Sequence, residues 1–301
     1  MTNLDIGLIG YGEVGKIFGN ELRAKGVSWI GAWDVKFADA AAGSAERRHA
    51  QAHGVVACES ARELCSKAQL IISAVTASNT LEVAKEAARW IGRGATFLDF
   101  NSASPGTKRQ AATLIEDAGA HYVEAGVMTS VPPYGIAVPM LLGGKQAPRL
   151  ADRLRPLGFN VTPLSPKIGV AAATKMSRSI MIKGLEALVI ESFTTARRYG
   201  VEAAMQETLA ETFPGIDWPK QGAYFFSRVA QHGKRRAEEM REAANTVHEA
   251  GFTPTLTASV ADKHDWIAKL ARDGVFDGIG NDAPWQDYAD RLLKLKPATS
   301  G

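Results

Sequence analysis

Apolar residues recur first in short unbroken blocks and later at helical spacing, and the change falls near Pro166. Leu4 to Gly10, Ser28 to Trp33, Gln69 to Val75 and Ala95 to Phe100 are blocks of this first kind, bounded by glycine, asparagine or proline. Blocks this short and this apolar read as strands buried on both faces. His121 to Glu124, Pro139 to Leu142 and Asn160 to Leu164 add three more. Between the blocks, Lys16 to Lys25 (closed by Gly26), Asn79 to Trp90 and the stretch after Pro105 carry helical periodicity. Strands alternating with helices predict a doubly wound sheet that binds ligands at the carboxyl ends of its strands.

Lys167 to Gly200 predicts one long helix. No proline interrupts it, Gly200 supplies the stop, and Arg197 and Arg198 stand in the last turn, where cations suit the helix dipole. Lys175, Arg178, Ser179, Lys183 and Glu186 fall on one face, with Met176, Ile180, Leu185 and Leu188 on others. The small residues Ala171, Ala172, Ala173 and Gly184 allow close packing. Beyond Gly200 the pattern stays helical over Glu202–Thr212, Trp218–Glu249, Thr257–Arg272 and Asp282–Lys296, with breaks at Pro214-Gly215, Gly251 to Pro254 and Gly274. Trp218, Tyr224, Phe225 and Phe226 read as core or interface aromatics, and His232 as a packing residue.

Composition narrows the class. A chain of 301 residues with 46% hydrophobic and 22% charged residues is long enough for two cored domains. A net charge of +3 without a basic block does not suggest nucleic acid. In the run Lys234-Arg235-Arg236, the cations read as paired along one helix with Glu238 and Glu239. Cys58 and Cys65 form no metal or redox motif. With neither a leader peptide nor a membrane-length apolar run at hand, the expectation is a cytoplasmic protein.

Chemistry enters at Gly10-Tyr11-Gly12-Glu13-Val14-Gly15, which follows the first strand and opens the first helix. This strand, G-x-G-x-x-G, helix order is the dinucleotide fingerprint. Its first glycine serves the tight turn, its second the approach of the pyrophosphate to a helix N-terminus, and its third close helix–strand packing. The second strand ends in Asp34, where a carboxylate receives the ribose hydroxyls and repels a 2′-phosphate. NAD is therefore expected, while Lys36, Arg47 and Arg48 leave NADP open. Three loops at the strand ends, Thr76 to Ser78, Asn101 to Pro105 and Gly126 to Ser130, are rich in hydroxyl and amide groups suited to a nicotinamide amide or a carboxylate. Val75, Thr76 and Asn101 are candidate cofactor contacts. Ser104 before Pro105 is also a natural N-cap. The fold class is thus an α/β Rossmann domain followed by an all-α C-terminal domain, joined by a long interdomain helix, with boundaries at 1–165, 166–200 and 201–301.

These segments together resemble the β-hydroxyacid dehydrogenases, the group that includes 3-hydroxyisobutyrate and 6-phosphogluconate dehydrogenases. Gly7 to Gly15 is similar to the N-terminal G-x-I-G-x-G-x-M-G, and Asp99 to Pro105 to the D-x-S-T-x-x-P substrate segment, with Asn101-Ser102 for Ser-Thr. Val123 to Val127, continuing to Gly143-Gly144, resembles D-A-P-V-S-G-G…M-V-G-G, with Thr129 and Ser130 in place of the glycine pair. Gly169 and Lys175 look like the helix that carries the family's catalytic lysine, and its Asn-Asn pair aligns with Arg178 and Ser179. The stretches Lys183 to Leu188, Phe213 to Trp218 and Arg228 to Met240 resemble a branch with a distinctive helical C-terminal domain, often labelled 6-phosphogluconate dehydrogenase NAD-binding-like.

The resemblance implies hydride transfer between nicotinamide and a small 3-hydroxy acid or its oxo form, with Lys175 as general acid and base. It implies an acidic substrate held by Ser102, Ala103, Gly126, Val127, Met128, Arg178 and Ser179, with Arg178 offering a planar fork to the acid. It implies a homodimer through the helical domain and a cleft in which Lys175 to Ser179 form a wall, leaving Lys183 and Glu186 as surface members of the stripe. Two other functions share the fold: an imine reductase-like NADPH enzyme, which generally lacks this lysine, and a dinucleotide-binding protein without turnover.

Overall fold

The computed structural model describes residues 4–38, 44–280 and 282–295. It consists of two compact units, Met1–Ser177 and Arg178–Gly301, and the division falls inside a single helix.

The first unit alternates strands and helices in the order β1 (Ile6–Ile9), α1 (Glu13–Ala24), β2 (Ile30–Trp33), α2 (Ser44–Ala52), β3 (Val56–Ala57), α3 (Ala61–Lys67), β4 (Leu70–Ser73), α4 (Thr80–Ala88), β5 (Thr96–Asp99), α5 (Pro105–Asp117), β6 (His121–Val127), β7 (Met140–Gly143), α6 (Ala147–Leu154) and β8 (Val161–Ser165). The strands form one sheet in the order β3-β2-β1-β4-β5-β6-β7-β8, parallel except between β6 and β7. The order reverses beside β1, which opens the crevice where such sheets bind ligands. Both faces are buried. Phe18 and Leu22 of α1 and Leu150 and Leu154 of α6 pack on one side, and Leu64 of α3, Ala84 of α4 and Ile115 of α5 on the other. That double burial explains the unbroken apolar strands.

Two expectations change here, and some elements come unannounced. The fingerprint helix begins at Glu13 rather than Lys16, so part of the glycine motif is itself helical. Gly126 and Val127 belong to β6, and the loop starts only at Met128. The segment α2-β3-α3 and helix α6 did not stand out by pattern: α2 is polar on most faces, β3 has two residues, and Pro148 near the start of α6 reads as a breaker although proline suits a first turn.

The long helix α7 spans Val170–Tyr199, starting three residues later than Lys167 because Gly169 takes a left-handed φ of 100°. In the second unit it is followed by α8 (Glu202–Thr212), α9 (Trp218–Glu249), α10 (Thr255–Arg272) and α11 (Trp285–Leu293). Their core is Ile190 and Phe193 of α7, Trp218, Phe225, Phe226 and Val229 of α9, Ile267 of α10, and Trp285 and Tyr288 of α11. Trp218, Phe225 and Phe226 are therefore packing residues as expected, but Tyr224 is exposed.

Two sequence-based assignments on α7 are corrected. Lys183 and Glu186 are not surface residues; both are buried. Lys183 pairs with Glu239 at 2.9 Å and donates to the Ser179 hydroxyl, and Glu186 takes a two-pronged ion pair from Arg236. Arg236 and Glu239 of the α9 run thus reach across to α7. Charges this deeply buried persist only when paired, and two complementary pairs fix how α7 and α9 meet. No described helix is long and apolar enough to cross a membrane.

Candidate functional site

The glycine loop leaves β1 toward Ala74. Gly10 has a φ of 93°, and a Cβ there would lie 2.4 Å from the carbonyl oxygen of Ala74. A Cβ on Gly15 would lie 2.2 Å from the carbonyl oxygen of Gly10. These two glycines are required by the protein itself. Gly12 is different: nothing lies within 4 Å of a Cβ built on it. It is the N-cap of α1, and among the described residues no side chain caps that end, which leaves the amides of the first turn available to an anion. A cradle that a Cβ at Gly12 would enter, beside an uncapped helix N-terminus, fits a pyrophosphate. Glu13 is exposed, and Val14 packs into the core beneath the loop.

Asp34 joins this loop to β2. Its Oδ2 accepts the Tyr11 amide at 2.8 Å and its Oδ1 the Lys36 amide at 3.0 Å, which fixes the carboxylate where ribose hydroxyls would meet it. The Tyr11 ring is buried beneath the loop and meets His49 Nδ1 at 3.2 Å; burial pushes its phenol up to about 12.

The loops after β4 and β5 are tied together. Asn101 is buried, and its side chain accepts the Val75 amide at 2.7 Å and donates to the Ser73 hydroxyl at 3.0 Å. Its amide group thus braces the two loops, while Val75 remains partly exposed and Thr76, bonded to Asn79, is exposed. Ser104 caps α5 by accepting the Thr107 amide. Ser102 stands between the brace and the cap, and Lys175 donates to its hydroxyl at 2.5 Å. Ala103 beside it is buried.

Buried charged groups brace the start of α7, which carries Lys175, and the Ser102 loop. Glu124 of β6 is fully buried. Its carboxylate accepts the amides of Gly169, Ala171 and Ala172 at 2.7, 3.1 and 3.3 Å, which caps the start of α7. Burial raises its pKa, against the opposing pull of Lys108 and these amides. Gly126 and Gly143 make room for the socket. A Cβ on Gly126 would lie 2.8 Å from the Ala171 carbonyl oxygen, and one on Gly143 would lie 2.3 Å from Glu124 Oε1. Under the Ser102 loop, Lys108 is buried and pairs with Asp99 at 2.9 Å. Asp99 also accepts the Tyr122 hydroxyl at 2.6 Å and the Asn101 amide at 2.9 Å. A carboxylate inside each of two apolar strands was the available signal, since buried charge demands partners.

The structure therefore brings together, in the first unit, Gly10 to Gly15 with Asp34, Val75 with Asn101, and Ser102 with Lys175. Val127 is buried, and Met128 is partly exposed at the end of β6. Arg178 and Ser179 belong to the second unit, where Arg178 is exposed and Ser179 is buried against Lys183.

Comparisons with known proteins agree with the fold. Residues 5–153 match the family described as the NAD binding domain of 6-phosphogluconate dehydrogenase, and residues 196–267 match a domain of unknown function (DUF1932). A conserved hypothetical protein from Sinorhizobium meliloti 1021 is 34% identical, covers 97% of both chains and superposes with a TM-score of 0.77. The conserved protein MTH1747, described as structurally similar to 3-hydroxyacid dehydrogenases, is 30% identical over 89% of this chain and 99% of its own, with a TM-score of 0.68. The 3-hydroxyisobutyrate dehydrogenase of Mycobacterium tuberculosis, solved with L-serine, shares the fold at 18% identity, covering 97% of this chain and 99% of its own, with a TM-score of 0.70. The chain accordingly belongs to the β-hydroxyacid dehydrogenase superfamily as an NAD(P)-dependent oxidoreductase, in the branch that carries this helical C-terminal domain.

Proposed function

We propose that the protein is an NAD-preferring dehydrogenase that interconverts a small 3-hydroxy acid and its oxo form, with Lys175 as the general acid and base. The observation that carries this reading is the Lys175–Ser102 contact at the carboxyl edge of the sheet. The bound nicotinamide supplies or accepts the hydride. Gly10 to Gly15 hold the pyrophosphate on the α1 N-terminus, and Asp34 receives the ribose. Lys175 places an ammonium where an alkoxide or carbonyl oxygen bears developing negative charge, stabilises it, and exchanges the proton. An ammonium has three donors, so its bond to Ser102 orients the group without exhausting its capacity to donate. The Ser102 hydroxyl, accepting from Lys175, directs its own proton away from it and can donate to a substrate carboxylate.

A panel of 3-hydroxy acids and 3-oxo acids with NAD(H) and NADP(H), followed at the nicotinamide absorbance, tests the assignment. Turnover of at least one acid is the expected result. Tight binding of NADH with no turnover across the panel would leave a dinucleotide-binding protein instead.

A further inference from the structure

The corner beside Asp34 contains a second carboxylate. Glu46, in the first turn of α2, holds two lysines on one oxygen: its Oε1 lies 3.5 Å from Lys16 Nζ and 3.7 Å from Lys36 Nζ. Lys16 stands on α1 directly after the glycine loop and donates its amide to the Gly12 carbonyl. Lys36 follows Asp34 by two residues and donates its amide to the Asp34 carboxylate. The glycine loop, the end of β2 and the start of α2 therefore meet in one charge cluster at the ribose end of the cradle. Glu46 is its most covered member, with 14% of its side chain exposed against 31% for Lys16 and 55% for Lys36. Its own backbone amide and the two lysines hold its carboxyl below the usual range, so it is ionised at neutral pH.

A 2′-phosphate adds close to two negative charges to a dinucleotide and needs cations to receive it. Arg47 is already engaged, with both prongs on Glu59 and a further bond to the Phe37 carbonyl. Lys16 and Lys36 flank the Asp34 turn, and Glu46 occupies both. Asp34 cannot swing aside without losing two amide bonds.

We infer that Glu46 is a specificity-determining residue: by tethering Lys16 and Lys36 it withholds them from a 2′-phosphate and keeps the site selective for the unphosphorylated dinucleotide. The inference rests on the cradle binding a dinucleotide at all.

The test is binding, not turnover. NADH and NADPH are titrated separately into wild type, Glu46→Gln, Glu46→Gln/Lys16→Met/Lys36→Met and Asp152→Asn, by tryptophan fluorescence or calorimetry. Wild type is expected to bind NADH more tightly than NADPH. Glu46→Gln tightens NADPH by about tenfold, the scale of one charge-assisted phosphate contact, and changes NADH by less than about twofold. The gain shrinks as salt is raised and disappears in the triple variant. Asp152→Asn, the same charge change at an exposed position on α6, moves neither affinity. An unchanged NADPH-to-NADH ratio in Glu46→Gln, equal tightening of both, or the same gain in Asp152→Asn overturns the inference. A wild type that prefers NADPH overturns it as well. A wild type that binds neither nucleotide defeats the dinucleotide reading itself, which is a separate outcome. Should Glu46→Gln fail to fold, Lys16→Met/Lys36→Met in the wild-type background decides: NADPH binding falls by less than about threefold if the lysines are already withheld, and a larger loss overturns the inference.

Discussion

Lys175 donates to the hydroxyl of Ser102 at 2.5 Å, which joins the first turns of α7 to the loop between β5 and α5. Removing the ammonium should therefore abolish proton transfer and leave the cradle intact. Lys175→Met is expected to lose about 10²- to 10⁴-fold in turnover on whichever acid the panel identifies, the usual range for a general acid–base group. Ser102→Ala should lose less, because Ser102 orients the ammonium without replacing it. NADH titration of both variants should match wild type. Full turnover in Lys175→Met removes the lysine from the mechanism.

Gly12 and Gly15 stand three residues apart and should respond oppositely to alanine. At Gly12 the φ of −78° suits any residue and a Cβ meets nothing, so Gly12→Ala should keep its stability to within about 1 kcal/mol, an ordinary N-cap effect. Its NADH affinity should fall at least tenfold, since the methyl enters the pyrophosphate cradle. Gly15→Ala drives a methyl onto the Gly10 carbonyl and should lose roughly 1–3 kcal/mol of stability from overpacking. Thermal unfolding and a nucleotide titration on each variant separate the two roles.

Lys108 and Asp99 form a buried ion pair beneath the Ser102 loop. Lys108→Met leaves the Asp99 carboxylate in the core without its cation, and should destabilise by about 3–5 kcal/mol, which is the penalty for breaking such a pair from one side. Lys108→Met/Asp99→Asn should recover much of that loss, because the second substitution removes the stranded charge. Denaturant unfolding of the single and double variants measures the coupling, and additive losses would show that the two side chains do not act as a pair.

His264 of α10 is fully buried, and its pKa is pushed down to about 3 by burial first and then by Arg236 and Lys183. The fold thus favours the neutral ring. That contribution is fully present above the ordinary value of 6.5 and is lost as pH falls from 6.5 toward about 3. Unfolding free energy should decline across this window with a slope approaching about 1.4 kcal/mol per pH unit for one proton. His264→Leu should flatten the decline, because it removes the titrating ring from the core. An equal slope in the variant would assign the acid sensitivity to other groups.

Most of this architecture is legible in the amino-acid pattern. Apolar blocks announce β1, β4 and β5 because parallel strands are covered on both faces, and Gly10 to Gly15 with Asp34 announce the cradle because phosphate and ribose constrain spacing. The α2-β3-α3 segment is not legible, since a polar helix and a two-residue strand leave no periodic trace. The depth of Lys183 and Glu186 is hidden for a different reason. A polar stripe at helical spacing looks the same whether it meets water or meets complementary charge on a second helix, and only tertiary structure distinguishes the two. Glu124 escapes notice because its partners are backbone amides at Gly169, Ala171 and Ala172, too far along the chain for any local pattern to encode.

Gly143 has one more consequence. It stands directly opposite Glu124 in the antiparallel pairing of β6 with β7, and the carboxylate fills the space its missing side chain leaves. A slip of β7 by one residue in one direction would set Leu142 against that carboxylate, forcing an isobutyl group and a buried charge into the same volume. The absent side chain thus acts as a key for strand alignment, disfavouring the mispaired sheet.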